Sequence, residues 1–126
     1  MSKRILVVDD EEMVADIVVH MISRTFPDIT ITICKGNAAV VKAMTILNDK
    51  SDFRLVVTDW NMPYNHHRGC EGGRAVLEAA KTANIPVIVM TGMASSFEKA
   101  SRADVVLMKP FSLTAFINAV KPFLSS

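Results

Sequence analysis

The chain has 126 residues, half of them apolar, which suits one compact domain with a sizeable core. Its 14 basic and 13 acidic side chains leave a formal charge of +1, so overall charge favours neither nucleic acid nor an anionic membrane as a partner. Apolar runs of at most about six residues fall far short of the roughly 20 that span a bilayer. We therefore expect one soluble, cytoplasmic domain over residues 1–126 with a small-molecule or protein partner.

The first half of the chain predicts two strands, each followed by a helix. A β-branched run at residues 4–8 is typical of a strand covered on both faces, and apolar residues at helical spacing then extend from residue 11 to 26. Period-two alternation at 29–33 indicates a half-exposed edge strand. A second helix is predicted from Gly36-Asn37 to about residue 47, with Asn37 as its cap.

The second half continues the alternation. Strands are predicted at 55–58, 86–90 and 105–108, and helices at 74 to about 82 and, more weakly, at 95–102. A last helix is capped by Ser112 and should end or kink at Pro122. Five strand-then-helix units predict a parallel sheet covered by helices on both faces, because each right-handed crossover returns the chain to the same end of the sheet.

Charged and polar side chains follow four of the predicted strands. Asp9 and Asp10 follow the first, Asp59 the third, Thr91 the fourth and Lys109 the fifth. Because the carboxyl ends of parallel strands lie at one edge, these five side chains should meet there. The sequence therefore predicts a polar site at this edge.

Three carboxylates at this edge would repel one another, each pair by about 4 kcal/mol at 4 Å and an effective dielectric constant near 20. Mg²⁺ would offset that repulsion, with Asp10 and Asp59 as direct ligands. Lys109 can pair with Asp59 or with a phosphoryl oxygen, and the Thr91 hydroxyl can donate to that oxygen. Such a set stabilises anions around one nucleophilic carboxylate, which we assign to Asp59.

Four segments, in order, each end a predicted strand: ILVVDDEE (5–12), VVTDWNMP (56–63), VIVMTG (87–92) and LMKPF (107–111). Through them the whole chain resembles the response-regulator receiver domains of two-component signalling, akin to single-domain chemotaxis regulators. The resemblance implies a doubly wound, flavodoxin-like α/β fold with about five helices. Its five-stranded parallel sheet would have the order 2-1-3-4-5.

The resemblance also implies that Asp59 is the phosphorylation site. Asp10, Asp59 and the backbone carbonyl of Asn61 would bind Mg²⁺, with Asp9 helping through water. The donor would be the phosphohistidine of a histidine kinase or a phosphotransfer protein. The chain would catalyse only its own phosphorylation and slow dephosphorylation, and so would not be an enzyme in the usual sense.

In receiver domains the phosphoryl oxygens are held by residues that match Thr91 and Lys109, and the peptide that matches Lys109-Pro110 is usually cis. The resemblance further implies that phosphorylation changes the binding of a downstream protein. No direct contact with nucleic acid or membrane is expected.

This sequence departs from the receiver pattern in two segments. Residues 64–72 form a longer loop than usual, and the stretch between Thr91 and Lys109 is short, which predicts a shortened fourth helix. Val106 stands where receivers commonly carry an aromatic switch residue. We therefore hypothesise that the signal is read through the 64–72 loop or the surface around 93–106.

Two alternatives stay open. Phosphohydrolases of the haloacid-dehalogenase type share the Asp, Mg²⁺, Thr and Lys set, but they place an acid-base Asp two residues after the nucleophile, where this chain has Asn61. The chain could also be a receiver fragment of a multidomain transcriptional regulator. Its KPFLSS end contains no linker, which favours a stand-alone protein.

Other residues of chemical interest have simpler interpretations. Cys34 is predicted to be a small core residue, and the eight methionines to fill the core. Trp60 is interpreted as either a partner contact or a half-exposed ring. The remaining candidates are expected at the surface or in the loop, as solvated side chains or a free thiol: His20, His66, His67 and Cys70.

Overall fold

The computed structural model describes residues 3–49, 52–63 and 71–124. Within these residues five strands alternate with five helices along the chain. Their bounds are β1 Arg4–Asp9, α1 Glu12–Thr25, β2 Thr30–Lys35, α2 Ala39–Asn48, β3 Leu55–Asp59, α3 Gly72–Thr82, β4 Val87–Thr91, α4 Ser96–Lys99, β5 Val105–Met108 and α5 Leu113–Leu124.

The five strands form one parallel sheet in the order β2-β1-β3-β4-β5. This confirms the predicted doubly wound α/β class and the predicted strand order. β1, β3 and β4 lie inside the sheet, and the helices cover both of its faces. Strand order reverses beside β1 and β3, so their carboxyl ends lie where open parallel sheets usually carry a ligand site.

Two apolar cores lie on opposite faces of the sheet, as the alternation of side chains along each strand requires. One core joins alternate residues of β1, β3 and β4 to α2 and α3; its strand members are Leu6, Val8, Val56, Val87 and Val89. The other joins the intervening residues to α1 and α5; its strand members are Ile5, Val7, Leu55, Val57, Ile88 and Met90. All these residues are 0% exposed, so the central strands are firmly held.

The helix ends agree with the sequence in one case and differ in two. The Ser112 Oγ accepts a hydrogen bond from Ala115 N at 3.0 Å, which confirms the predicted cap of α5. The predicted Asn37 cap is wrong, because Gly36 adopts a φ of 84° and a turn carries the chain to an α2 that begins at Ala39. Of the two outcomes predicted at Pro122, an end is excluded, because α5 continues to Leu124 and a proline in the last turn removes only one backbone donor; a kink there stays a prediction.

The prediction that the eight methionines fill the core is wrong. Met62 and Met90 are buried, but Met13 and Met93 are 78% and 53% exposed, so the methionines do not all fill the core. A methionine count cannot assign each side chain to a face, because the flexible thioether is tolerated in both environments. Cys34 is buried, as predicted.

His20 is exposed, as predicted, while the predictions for His66, His67 and Cys70 fall outside the described residues. Among the helices that the structure describes, none combines the length and the apolar character that crossing a membrane requires.

Candidate functional site

The carboxylates predicted to meet at the sheet edge do so. Asp9 and Asp59 are the last residues of β1 and β3, and Asp10 follows β1 directly. One carboxylate oxygen from each of the three lies within 4.8 Å of the other two. Asp9 is 0% exposed and Asp59 is 4% exposed, so this cluster is held in a largely water-free place.

Lys109, directly after β5, provides the positive charge of the cluster. Its Nζ lies 3.0 Å from Asp59 Oδ1 and 3.5 Å from Asp9 Oδ2. The second oxygen of Asp9 accepts a hydrogen bond from Glu11 N at 2.9 Å. The Lys109-Pro110 peptide is cis, as the receiver resemblance implied. One cation is therefore shared by two buried carboxylates.

Two acid groups of the cluster, Asp9 and Asp59, have pKa values above the ordinary value. Burial raises the pKa of Asp9 from 3.8 to about 6, with Asp59 adding repulsion and Glu11 N and Lys109 opposing the change. Burial also raises the pKa of Asp59, although Lys109 acts in the opposite direction. Burial lowers the pKa of Lys109, but Asp59 and Asp9 more than offset this and raise it overall. The carboxylate charges are thus only partly neutralised by the protein.

The same residues suit a hard divalent cation. Asp10 Oδ1 is buried and makes no hydrogen bond within the described part of the chain. A buried carboxylate oxygen without a donor is costly unless a cation takes it. Three clustered oxygen donors with excess negative charge fit the preference of Mg²⁺ for carboxylates. Asp9, Asp10 and Asp59 could therefore hold this ion.

Thr91 is linked through Asn61 to the segment that follows Asp59. Its hydroxyl donates to Asn61 Oδ1 at 2.9 Å, and the side chain is fully buried at the end of β4. The other side of the Asn61 amide faces Met93, whose Sδ lies 3.5 Å from Asn61 Nδ2. Sequence reasoning assigned only the backbone carbonyl of Asn61 to the site. It missed Met93 because no polar pattern marks this position.

The start of α3 packs directly on the chain after Asp59. Gly73 N donates to Trp60 O at 3.0 Å, and Gly72 N donates to Met62 O at 2.7 Å. A Cβ added at Gly73 would lie 2.4 Å from Asp59 O and 2.5 Å from Trp60 Cα. Only glycine fits so close an approach of two backbones. The Gly-Gly pair in the sequence was the available signal for this contact.

Trp60 is 0% exposed, so the prediction of a half-exposed ring or a partner contact is wrong. The close approach of α3 explains the difference, because it lets Arg74 cover the ring, with the guanidinium carbon 5.4 Å from the ring centroid. The ring packs into the core between the sheet and α2 and α3. The buried Trp60 ring therefore fixes the position of the backbone directly after Asp59.

A model of the response regulator receiver domain matches residues 5–121. The chain therefore belongs to the response regulator receiver family of two-component systems, whose members are signalling proteins. The cluster of Asp9, Asp10 and Asp59 fits the phosphoaspartate site of that family.

Individual comparisons agree with this assignment. A chemotaxis protein CheY homolog of Campylobacter jejuni is 28% identical over 120 residues, which are 95% of this chain and 82% of that protein. The transcriptional regulatory protein YrkP of Bacillus subtilis is 28% identical over 89% of this chain and 45% of that protein. A response regulator receiver structure from Sinorhizobium medicae has a TM-score of 0.67 and 25% identity, covering 99% of this chain and 96% of the other. The phosphohydrolase and fragment alternatives gain no support here.

Proposed function

We propose that Asp59 accepts a phosphoryl group from the phosphohistidine of a histidine kinase or a phosphotransfer protein, and that this changes the binding of a downstream protein. One observation carries the proposal. Asp59 belongs to a buried three-carboxylate cluster and lies 3.0 Å from Lys109 Nζ, so a nucleophile, a cation site and an anion-binding group lie together.

Mg²⁺ would be held by Asp10, Asp59 and the backbone carbonyl of Asn61, with Asp9 acting through water. When bound, the ion would neutralise charge on the phosphoryl oxygens and orient them. The unpartnered Asp10 Oδ1 supports this ligand set. The pKa of Asp9 is raised chiefly by burial and further by repulsion from Asp59, and a bound cation would relieve both effects.

The chain's own groups would act by position and charge. An oxygen of Asp59 forms a bond to phosphorus as the bond from phosphorus to the donor's imidazole nitrogen breaks, and the imidazole leaves with that electron pair. As this bond forms, Lys109 pairs with one phosphoryl oxygen. The Thr91 hydroxyl turns from Asn61 Oδ1 to donate to another. These two contacts would couple phosphorylation to β4 and β5.

An apolar groove beside Lys109 supports a protein donor. It has a volume of about 370 Å³, and it is lined by Val14, Ile17, Val18, Met21, Lys109, Pro110 and Phe111. Ile17 is 51% exposed. A helix of the donor could cover this groove while its histidine reaches Asp59.

The signal is proposed to leave through the 64–72 loop, of which residues 64–70 lie outside the described part of the chain, or through the surface around 93–106. Val106 is only half-buried, and α4 beside it has four residues. A structure with a phosphomimetic bound at Asp59 should show one of these regions displaced. Unchanged positions for both regions would refute this route.

The test of the acceptor uses acetyl phosphate and Mg²⁺ with the purified protein, and intact-mass spectrometry as the measurement. The wild type should gain one phosphoryl group, and Asp59→Asn should gain none, because the amide is not nucleophilic. Asp28→Asn is the matched control, since Asp28 is an exposed aspartate paired with Lys3 and should not affect labelling. Equal labelling of wild type and Asp59→Asn would refute the assignment.

Lys109→Ala separates chemistry from signalling. It should keep the fold and accept the phosphoryl group more slowly, but it should lose any conformational response. The response can be followed by amide resonances in residues 92–108. A full response in Lys109→Ala would contradict the proposed role of this lysine.

A further inference from the structure

A methionine sulfur lies at the mouth of the candidate site. Met93 follows β4, its side chain is half-exposed, and its Sδ is 3.5 Å from Asn61 Nδ2. Its backbone N–H donates to Thr91 Oγ1 at 3.2 Å. One residue thus contacts both Asn61 and Thr91, the two polar side chains that join β3 to β4 beside Asp59.

Among the described methionines only Met13 and Met93 are exposed; Met21, Met44 and Met108 are partly buried. Met62 and Met90 are fully buried, and access to an oxidant requires exposure of the sulfur. Met13 is more exposed than Met93, at 78%, but it lies on α1. Met93 is therefore the exposed methionine whose oxidation would alter contacts with Asn61 and Thr91.

We propose that Met93 is a reversible oxidation site that slows phosphoryl transfer to Asp59; this inference rests on the function proposed above. The oxidant is a peroxide. A lone pair of Sδ forms a bond to one peroxide oxygen as the O–O bond breaks, which gives the sulfoxide and, for hydrogen peroxide, water. The sulfur loses two electrons and the peroxide gains them. A methionine sulfoxide reductase returns the thioether: a thiol reductant gives up two electrons and is oxidised to a disulfide, and the sulfoxide oxygen leaves as water.

The sulfoxide changes the hydrogen bond to Asn61. A thioether sulfur is a weak acceptor, whereas the sulfoxide oxygen is polar and accepts strongly. A stronger acceptor at residue 93 fixes the NH₂ side of the Asn61 amide toward Met93. The Asn61 Oδ1 then stays turned to the Thr91 hydroxyl, which it already accepts at 2.9 Å.

Fixing the Asn61 side chain would slow phosphoryl transfer to Asp59. The Thr91 hydroxyl must leave Asn61 Oδ1 before it can donate to a phosphoryl oxygen. The strengthened hydrogen bond from Asn61 Nδ2 to the sulfoxide holds Asn61 in place and so opposes the release of the Thr91 hydroxyl. We therefore expect labelling to slow by roughly threefold to tenfold. The carboxylate cluster itself is unchanged, so Mg²⁺ binding should be retained.

The experiment compares wild type, Met93→Leu and Met13→Leu, each with and without hydrogen peroxide. Peptide mass spectrometry gives the oxidised fraction of each methionine, and labelling by acetyl phosphate with Mg²⁺ gives the rate. Peroxide should slow wild type and Met13→Leu equally, and methionine sulfoxide reductase should restore both rates. Met93→Leu should show the same rate before and after treatment. Met93→Gln, whose amide oxygen imitates the sulfoxide oxygen, should be slow without peroxide.

A second measurement does not depend on phosphoryl transfer. The side-chain amide resonances of Asn61 should shift when Met93 is oxidised, and should not shift when peroxide is added to Met93→Leu. If untreated wild type takes no label, the proposed function fails, while the Asn61 shift still tests the contact. Full oxidation of Met93 with an unchanged rate, or slowing that persists in Met93→Leu, would overturn the inference.

Discussion

Two neighbouring regions differ sharply in how tightly they are packed: the end of β3 with the start of α3, and the 92–108 segment. Every residue of β3 is buried, and α3 begins in direct backbone contact with Trp60 and Met62. In the 92–108 segment, by contrast, α4 has four residues and β5 is half-buried along its length. The reacting carboxylate therefore stands on a rigid support, whereas the surface beside it is held by few contacts and can change at low cost.

The largest expected effect comes from Gly73→Ala, at the start of α3. Gly73→Ala places a Cβ 2.4 Å from Asp59 O, where two backbones must separate to admit it. We expect a loss of about 3 kcal/mol or more in the free energy of unfolding, at the upper end of overpacking costs. Urea unfolding followed by far-UV circular dichroism measures this.

Gly92→Ala is the matched control in the 92–108 segment. A Cβ at Gly92 meets no atom within 4 Å. The substitution should therefore change the free energy of unfolding by less than about 0.5 kcal/mol. Equal losses for the two alanine variants would show that the regions do not differ in tightness.

A second prediction concerns pH and Mg²⁺. Asp9 has a pKa of about 6 in the folded protein against an ordinary value of 3.8, so between these two pH values the unfolded chain binds fewer protons. Stability of the Mg²⁺-free protein should therefore fall as pH rises from about 4 to 6, by at most about 3 kcal/mol from this group. Mg²⁺ should restore the loss, because it compensates the ionised cluster. Urea unfolding at a series of pH values, with and without Mg²⁺, measures both effects.

Asp9→Asn sharpens this test, since it removes the titrating group. Its stability should vary less with pH than that of wild type between pH 4 and 6. Asp49→Asn, at an exposed position after α2, should keep the wild-type dependence. An Asp9→Asn protein with the unchanged wild-type dependence would contradict the assignment to Asp9.

The smallest effect is expected at the link between the two regions. Glu71 accepts from Arg74 at 3.2 Å and from Lys99 of α4 at 3.1 Å. Glu71→Gln should cost less than about 1 kcal/mol in the free energy of unfolding, because these ion pairs are partly exposed. Amide hydrogen exchange in residues 96–99 should nevertheless become faster, since α4 loses one of its few attachments.

Lys3→Gln is the control for this variant. It breaks the exposed pair between Lys3 and Asp28, which lie 2.8 Å apart and away from α4. Exchange in residues 96–99 should stay at the wild-type rate. Faster exchange in both variants would mean that α4 responds to general destabilisation.

The contrast between the two regions also explains what the sequence could predict. β-Branched runs set the buried strands, and the parallel sheet then brings Asp9, Asp59 and Lys109 together, so the central site follows from local pattern and topology. The Ser112 cap could also be predicted from the sequence, because it depends on two residues only three positions apart. In these cases the determining contacts are local or repeat along the sheet.

The errors fall where contacts between distant segments decide the outcome. Trp60 is buried because Gly73 lets a later helix close over it, and nothing in its neighbours reveals that. The contact from Asn61 to Met93 joins residues 32 apart and involves an apolar side chain that no charge pattern marks. The Asn37 cap is an exception, because the local turn with a positive φ at Gly36 moved the start of α2 to Ala39.

Trp60 is the single tryptophan of the chain, and it is bonded directly to Asp59. The absorption and fluorescence of its indole ring therefore report on one position, next to the residue whose carboxylate oxygen reacts. An unlabelled sample in a stopped-flow fluorimeter thus contains its own probe. Cation binding and acyl phosphate formation can be timed there without any engineered dye.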